Sequence, residues 1–209
     1  MLSRYNKVAG QSVERIAALS DGVFAVAMTL LVLDLHAPAT EGIRSEGDLL
    51  RALIVLGPPL LVYLMSFMTL GIFWVGQQVQ LNHLARGTRD LTWTHLGFLA
   101  AVALMPFSTV LMSHFIHLRI ALVLYWLNIL LLGVLLFASW RCAIAASLLK
   151  PGLPADTIVA VQRRIVVAQA LYTVGALLCV IDTYWSIGFI MLVQLNYVIA
   201  PRIGILSQL

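Results

Sequence analysis

The chain alternates long apolar stretches with short polar ones. Six stretches, at about 16–36, 48–80, 90–113, 118–146, 157–181 and 184–206, each supply the roughly 20 apolar residues that a bilayer-spanning helix needs. The pattern predicts an all-α polytopic membrane protein with six transmembrane helices, forming a single domain over residues 1–209.

Two of the polar interruptions predict local structure. Gly57-Pro58-Pro59 lies within the second stretch, and we expect it to kink or break the helix because proline has no amide hydrogen. Asp182, Thr183 and Ser186 separate the last two stretches and predict a tight helical hairpin.

Composition excludes a soluble protein. Of the 209 residues, 61% are hydrophobic and 11% are charged, and the mean hydropathy is +0.97. Soluble domains carry about 25% charged residues, so this chain cannot cover a water-facing surface. The net charge of +4 is spread over short loops without a continuous basic face, which argues against binding to nucleic acid.

The distribution of basic residues predicts the topology. An even number of spans places both termini on one side of the membrane. That side collects ten lysines and arginines, and the other side holds three, Arg44, Arg51 and Arg119. The ten are Arg4, Lys7, Arg15, Arg86, Arg89, Arg141, Lys150, Arg163, Arg164 and Arg202. The positive-inside rule therefore predicts that both termini are cytoplasmic.

Charged and hydroxyl groups stand at the ends of the first stretch. Arg15, Ser20, Asp21 and Asp34 flank or enter an otherwise apolar helix. Ionisable groups in such positions are costly unless they face a partner or water, so they favour an ion pathway. The alternative is that Asp21 and Asp34 only mark the two water interfaces of an ordinary membrane anchor.

Arg15 and Asp21 each need a partner on another helix. They are six residues apart, which places them on different faces and excludes an intrahelical pair. Four polar residues near the end of the second stretch are the candidate partners: Gln77, Gln78, Asn82 and His83. Such a network would serve a structural or gating role.

An apolar stripe follows the first helix. Val26, Leu30 and Leu33 share one face at i, i+4 and i+7, with Thr29 close beside it. Four copies around a common axis would form stacked hydrophobic rings, a constriction that ions cross only by losing or rearranging water. From spacing alone, core or lipid-facing positions are the more usual interpretation of three aliphatic residues at helical spacing.

No enzyme or metal site is predicted. The five histidines, at positions 36, 83, 95, 114 and 117, are too dispersed for a metal signature, and the chain has no nucleophile elbow or phosphate-binding loop. Thr173-Val174-Gly175 is similar to a potassium-filter motif, but it lies in a continuous apolar helix, whereas a carbonyl filter needs an extended loop. We therefore predict no catalytic residue, metal or cofactor.

Arg15-x-x-x-Leu19-Ser20-Asp21 at the start of the first stretch, together with several later segments, resembles the transmembrane protein 175 family, the endolysosomal potassium channels and their bacterial relatives. Arg15-x-x-x-Leu19-Ser20-Asp21 is similar to the Arg-x-x-x-Phe-Ser-Asp signature that opens the first helix of that family. The likeness continues through 63–67 with Phe73-Trp74, through 104–109, and through 124–128 with Trp140-Arg141.

The resemblance implies a function and an assembly. It implies a potassium-permeable cation channel, a homotetramer in its bacterial form, embedded in the lipid bilayer of the bacterial inner membrane. It also implies that the first helix lines the pore and that Val26, Leu30 and Leu33 correspond to the family's hydrophobic filter.

Two positions depart from the family pattern. The signature phenylalanine is Leu19, and Gln77-Gln78 replace a histidine pair. Glutamine does not titrate near neutral pH, so these positions cannot carry a histidine-based pH response.

Two other functions remain open from the sequence. One is a secondary transporter with a midplane site, although the chain shows no paired half-length segments or inverted repeat. The other is a non-conducting membrane scaffold.

Overall fold

The regular secondary structure of the described residues is helical, apart from one isolated β-bridge between Leu84 and Leu149. The structure is a computed structural model that describes residues 12–40 and 42–199. Its helices are α1 Val13–Leu30, α2 Glu46–Val55, α3 Gly57–Asn82, α4 Arg89–Ala103, α5 Met105–His114, α6 Arg119–Ala145, α7 Ala155–Leu177 and α8 Thr183–Ile199. Short 3-10 turns, Leu31–Asp34 and Leu178–Val180, extend α1 and α7.

Five helical segments in the described residues are long and apolar enough to cross a membrane. They are Val13–Asp34, Gly57–Asn82, Arg89–His114, Arg119–Ala145 and Ala155–Val180. The last predicted span corresponds to α8, which is apolar but has only 17 described residues. Residues 200–206 of that predicted span lie outside the described residues, as do Arg4, Lys7 and Arg202 of the predicted topology.

Prolines divide two of the predicted stretches. The expected break at Gly57-Pro58-Pro59 is confirmed, because α2 ends at Val55 and α3 begins at Gly57 with proline in its first turn. Proline is tolerated there because the first amides of a helix have no intrahelical acceptor. The third stretch, predicted as one helix, is divided at Leu104, and Pro106 stands in the first turn of α5.

Helix α6 forms the middle of the bundle. It packs against α4, α5 and α7 and buries a row of large side chains. Helix α1 packs against α3, α4 and α5, while α8 packs against α3 and α7. The core therefore lies between α6 and the helices around it, with α1 on one side of the bundle.

The predicted hairpin between α7 and α8 is present. The Asp182 carboxylate accepts a hydrogen bond of 2.7 Å from the Tyr184 amide at the start of α8. At Gly175 the two helices approach so closely that an added Cβ would lie 2.8 Å from Ile190 Cγ1. Gly175 belongs to α7, so the rejection of an extended potassium filter there is confirmed.

The loops at one end of the bundle are tied together. The Ala85 amide donates a hydrogen bond of 2.8 Å to the Leu148 carbonyl, and the Lys150 amide donates one of 2.9 Å to the His83 carbonyl. These bonds place the α3–α4 and α6–α7 loops on the same side, which is the side that the basic residues predict to be cytoplasmic.

Helix α2 stands apart from this core. None of its residues is buried, and it contacts the start of α3. Ser45 caps it, accepting a hydrogen bond from the Asp48 amide. The Ser45 hydroxyl also donates a hydrogen bond of 2.7 Å to the Asp48 carboxylate. This hydrogen bond lowers the pKa of Asp48.

Candidate pore helix

Helix α1 has one packed face and one open face. Ile16, Ser20, Phe24 and Ala27 are buried against the bundle at helical spacing. Val26, Leu30 and Leu33 are 58%, 43% and 65% exposed in the single chain. An amphipathic helix buries its apolar stripe in a partner, but here the exposed stripe is also apolar. The face that the sequence suggested for the pore is therefore uncovered by the described residues of this chain.

The end of α1 preserves the alignment of this stripe. Leu33 lies in the 3-10 turn that follows Leu30. Because side chains at i and i+3 eclipse in a 3-10 helix, Leu33 stays close to the direction of Leu30. Thr29 is exposed beside them, and its hydroxyl donates to the Ala25 and Val26 carbonyls at 3.0 and 2.9 Å. Its methyl and hydroxyl thus stand at the stripe's edge without a side-chain partner among the described residues.

Asp21 is held by two donors from α3. Its Oδ1 accepts from Trp74 Nε1 and from Gln78 Nε2, both at 2.8 Å. Trp74 and Gln78 are four residues apart, so they share one face of α3. We call these three residues the Asp21 cluster. A carboxylate that accepts two such bonds fixes the rotation of α1 relative to α3, because charge-assisted hydrogen bonds are strong and directional.

A second cluster joins α1 to α3 and α4. Ser20 Oγ lies 2.9 Å from His95 Nε2, and Gln77 Nε2 lies 2.9 Å from the same ring nitrogen. All three side chains are buried. The Ser20 hydroxyl also donates a hydrogen bond of 2.7 Å to the Ile16 carbonyl. We call Ser20, Gln77 and His95 the His95 cluster, and it fixes the packed face of α1 in the bundle core.

The other sequence-suggested partners lie elsewhere. The His83 ring contacts the Val79 carbonyl at 2.6 Å and stands edge-on to Trp140. Asn82 lines a polar cavity of about 280 Å3 with Glu14, Gln78 and Lys150. Neither residue bonds to Asp21 within the described part of the chain.

Arg15 is exposed near the start of α1. Its amide donates to the Ser12 side chain, which caps the helix. Its guanidinium forms no ion pair with any carboxylate in residues 12–40 or 42–199. Arg15 and Asp21 are therefore not parts of one contact in the single chain.

The opposite end of α1 meets α5 through Asp34. The Asp34 carboxylate lies 3.8 Å from His114 Nε2, and the His36 ring contacts the Asp34 carbonyl at 3.0 Å. Asp34 therefore contacts His114 at this end of the bundle. It also lies at a predicted water interface.

Sequence reasoning missed two members of these clusters and a third set of polar groups. It left His95 among dispersed histidines and used Trp74 only as part of a family likeness. It also missed a buried network of polar side chains. In this network Thr109 donates a hydrogen bond of 2.8 Å to Ser66, and Gln194 donates one of 2.6 Å to Thr69. The Tyr125 hydroxyl lies 3.2 Å from the Ser66 hydroxyl and 3.3 Å from the Thr69 hydroxyl. The available signal was the general cost of polar groups inside an apolar span, which points to partners without naming them.

Comparison with known proteins relates this arrangement to one family. Residues 15–106 match the family model described as the endosomal/lysosomal potassium channel TMEM175. A potassium channel of Streptomyces collinus is 37% identical over 103 residues, which are 49% of this chain and 48% of that protein. The endosomal/lysosomal proton channel TMEM175 of Gallus gallus is 35% identical over 109 residues, 50% of this chain and 22% of that protein.

A solved structure extends the likeness over nearly the whole fold. The crystal structure of a lysosomal potassium-selective channel TMEM175 homolog from Chamaesiphon minutus matches with a TM-score of 0.78 and 26% identity. The match covers 91% of this chain and 98% of that one. The sequence matches thus span about half or less of the two named relatives, whereas the structural match spans almost all of the homolog. In sequence from Arg15 to Pro106 and in the fold of its helices, this chain is similar to the TMEM175 family.

Proposed function

We propose that this chain is a potassium-permeable cation channel in which four copies place α1 around a central pore. The family is one of ion channels, which is not an enzyme class, and the relatives are named as potassium and proton channels. The observation that carries the proposal is the exposed apolar stripe of Val26, Leu30 and Leu33 on a helix whose opposite face is fixed by two polar clusters.

The stripe supplies the proposed constriction. Four symmetric copies of each side chain make three stacked rings of branched hydrocarbon, which offer an ion no replacement for its water. A hydrated potassium ion loses water more readily than the more tightly hydrated sodium ion, so the rings favour potassium. Passage is passive and needs no cofactor, potassium being the permeant ion.

The clusters supply rigidity to this pore. Selectivity by partial dehydration depends on ring diameter, and the diameter depends on how α1 is rotated and tilted. The Asp21 cluster and the His95 cluster both attach α1 to the bundle within its first three turns. Their role in this proposal is to position α1, with Arg15 standing beyond them near the pore entrance.

The proposed orientation places six spans in the bacterial inner membrane with both termini in the cytoplasm. Glu14, Asn82 and Lys150 line one cavity, so the start of α1 lies on the side of the tied loops. That side carries the excess of basic residues. Helix α8, Thr183–Ile199, is assigned to the sixth proposed span.

Ion flux into liposomes tests the proposed activity. Purified full-length protein, reconstituted with a potassium gradient and a voltage-sensitive dye, should pass potassium without a second solute and should generate a membrane potential. Flux that requires a second solute would favour a secondary transporter, and no flux would favour a scaffold. The same assay with a proton gradient and a pH-sensitive dye tests whether the protein conducts protons, because the Gallus gallus relative is named as a proton channel.

Assembly is tested separately. A single pore helix cannot enclose a pore by itself, and an open groove of about 470 Å3 runs along the exposed face of α1 beside Gly22, Leu30 and Ala103. We expect a closed cyclic tetramer. Native mass spectrometry in a detergent that preserves flux should show mainly four-chain species. Monomers that retain flux would contradict the proposed pore.

A further inference from the structure

Arg15 lies on the same face of α1 as the proposed pore stripe. Arg15 and Val26 are eleven residues apart in this helix, and at about 100° per residue this separation brings them to within about 20° of one direction. Leu19 lies between them along the same face and is 49% exposed. The open face of α1 therefore continues from the apolar stripe to a cation near the start of the helix.

The positive charge of Arg15 is not neutralised within the described part of the chain. Its side chain is exposed and forms no ion pair with a carboxylate there. The neighbouring carboxylate, Glu14, is about 100° away around the helix, where it accepts a hydrogen bond of 3.0 Å from Ser12 and lines the cavity that also contains Lys150. Asp21 is about 120° away and already accepts two donors from α3. Neither carboxylate therefore lies on the face that carries Arg15.

Four such charges around one axis would repel cations from the entrance of the pore. Arg15 precedes the Val26 ring by about 16 Å along the helix axis. For four unit charges about 10 Å from the axis in water, screened over a Debye length of about 10 Å, the potassium concentration at the entrance is about threefold lower in 0.1 M salt. In 1 M salt the Debye length is about 3 Å, and this depletion nearly disappears. The partial positive charges of the four helix N-termini act in the same direction.

We propose that the Arg15 side chains of four subunits form a cationic ring at the cytoplasmic entrance, which reduces the entry of potassium from that side. The inference rests on the proposed pore and its proposed orientation. Potassium that enters from the opposite side meets the apolar rings before it meets Arg15. The ring therefore makes the current asymmetric at low salt, with the smaller current leaving the cytoplasm.

Single-channel recording from the purified full-length protein in planar bilayers tests this ring, because each channel keeps one orientation throughout its record. In symmetric potassium chloride of about 0.1 M, we expect the currents at equal and opposite voltages to differ by about two- to threefold. In about 1 M they should be nearly equal. Arg15→Gln should remove the asymmetry at the lower concentration, and Arg15→Lys should keep it because the charge remains.

Arg163→Gln is the matched control for charge. Arg163 is also exposed, but it belongs to α7, which packs against α6 and α8. An equal loss of asymmetry in this variant would indicate diffuse surface charge and would overturn the ring. Symmetric currents in the conducting wild-type protein at low salt would overturn the ring and leave the proposed channel intact.

Cross-linking tests the position of Arg15 without requiring a current. In a background with both native cysteines, Cys142 and Cys179, replaced by serine, a flexible bismaleimide should link Arg15→Cys between chains. Glu14→Cys, about 100° around the helix, should be linked much less. Equal linking of the two variants would overturn the ring whether or not the protein conducts. Selective linking of Arg15→Cys in a protein without current would support the ring and contradict only the proposed conduction.

Discussion

Replacement of Leu30 by alanine is expected to increase sodium permeation relative to potassium. The side chain is 43% exposed on the open face of α1, so its truncation widens the proposed ring without opening a core cavity. A wider ring strips less water from either ion, and the advantage of the more weakly hydrated potassium shrinks. A polar replacement, Leu30→Asn, should admit water and raise the leak of both ions. Reversal potentials under bi-ionic potassium and sodium measure the ratio.

Leu31 provides the matched control for Leu30. It is 2% exposed and belongs to the hydrophobic core, so Leu31→Ala should cost about 2–5 kcal/mol of stability through the cavity it leaves. Its effect on the permeability ratio should be small. An unchanged ratio in Leu30→Ala combined with a changed ratio in Leu31→Ala would show that another face of α1 lines the pore.

Removing the Asp21 side chain is expected to loosen the pore helix. Asp21→Ala leaves the Trp74 and Gln78 donors without their common acceptor, at a cost of about 1–3 kcal/mol per subunit. The thermal stability of the assembly and the potassium current should both fall. Asp21→Asn keeps an oxygen acceptor without the charge and should give an intermediate result.

A double-mutant cycle with Trp74 separates this contact from a general surface effect. Trp74→Phe removes one donor but keeps the ring, and in combination with Asp21→Ala it should cost less than the sum of the two single changes. Strict additivity, or wild-type stability and current in Asp21→Ala, would mean that Asp21 is only an interfacial charge.

The sequence predicts the helical membrane fold because that fold depends on properties summed over many residues. Each span is assigned from about 20 apolar positions, so one atypical residue does not change the assignment. The break at Gly57-Pro58-Pro59 was also predictable, since two adjacent prolines cannot continue a helix. The break before Pro106 was less evident, because one proline can either kink a helix or start a new one.

The polar contacts of α1 were only partly predictable because they depend on which helices become neighbours. Periodicity predicted that Asp21 needs a partner on another helix, and Gln78 was among the candidates. Gln77, one residue earlier, faces the buried His95 about 100° around α3. His95 belongs to α4, whose packing against α1 and α3 no local pattern specifies. Pairings of this kind come from tertiary structure.

The exposed position of α2 leaves its apolar residues without cover from the rest of the described chain. Leu50, Ile54 and Val55 in this helix are 61%, 67% and 74% exposed, and nothing else in the described chain buries them. A ten-residue helix without tertiary support is marginal in water, where about 12–15 residues are needed even for favourable sequences. The stability of α2 therefore depends on surroundings outside the described chain, and we expect its helix content in a purified sample to change with the detergent or lipid around it.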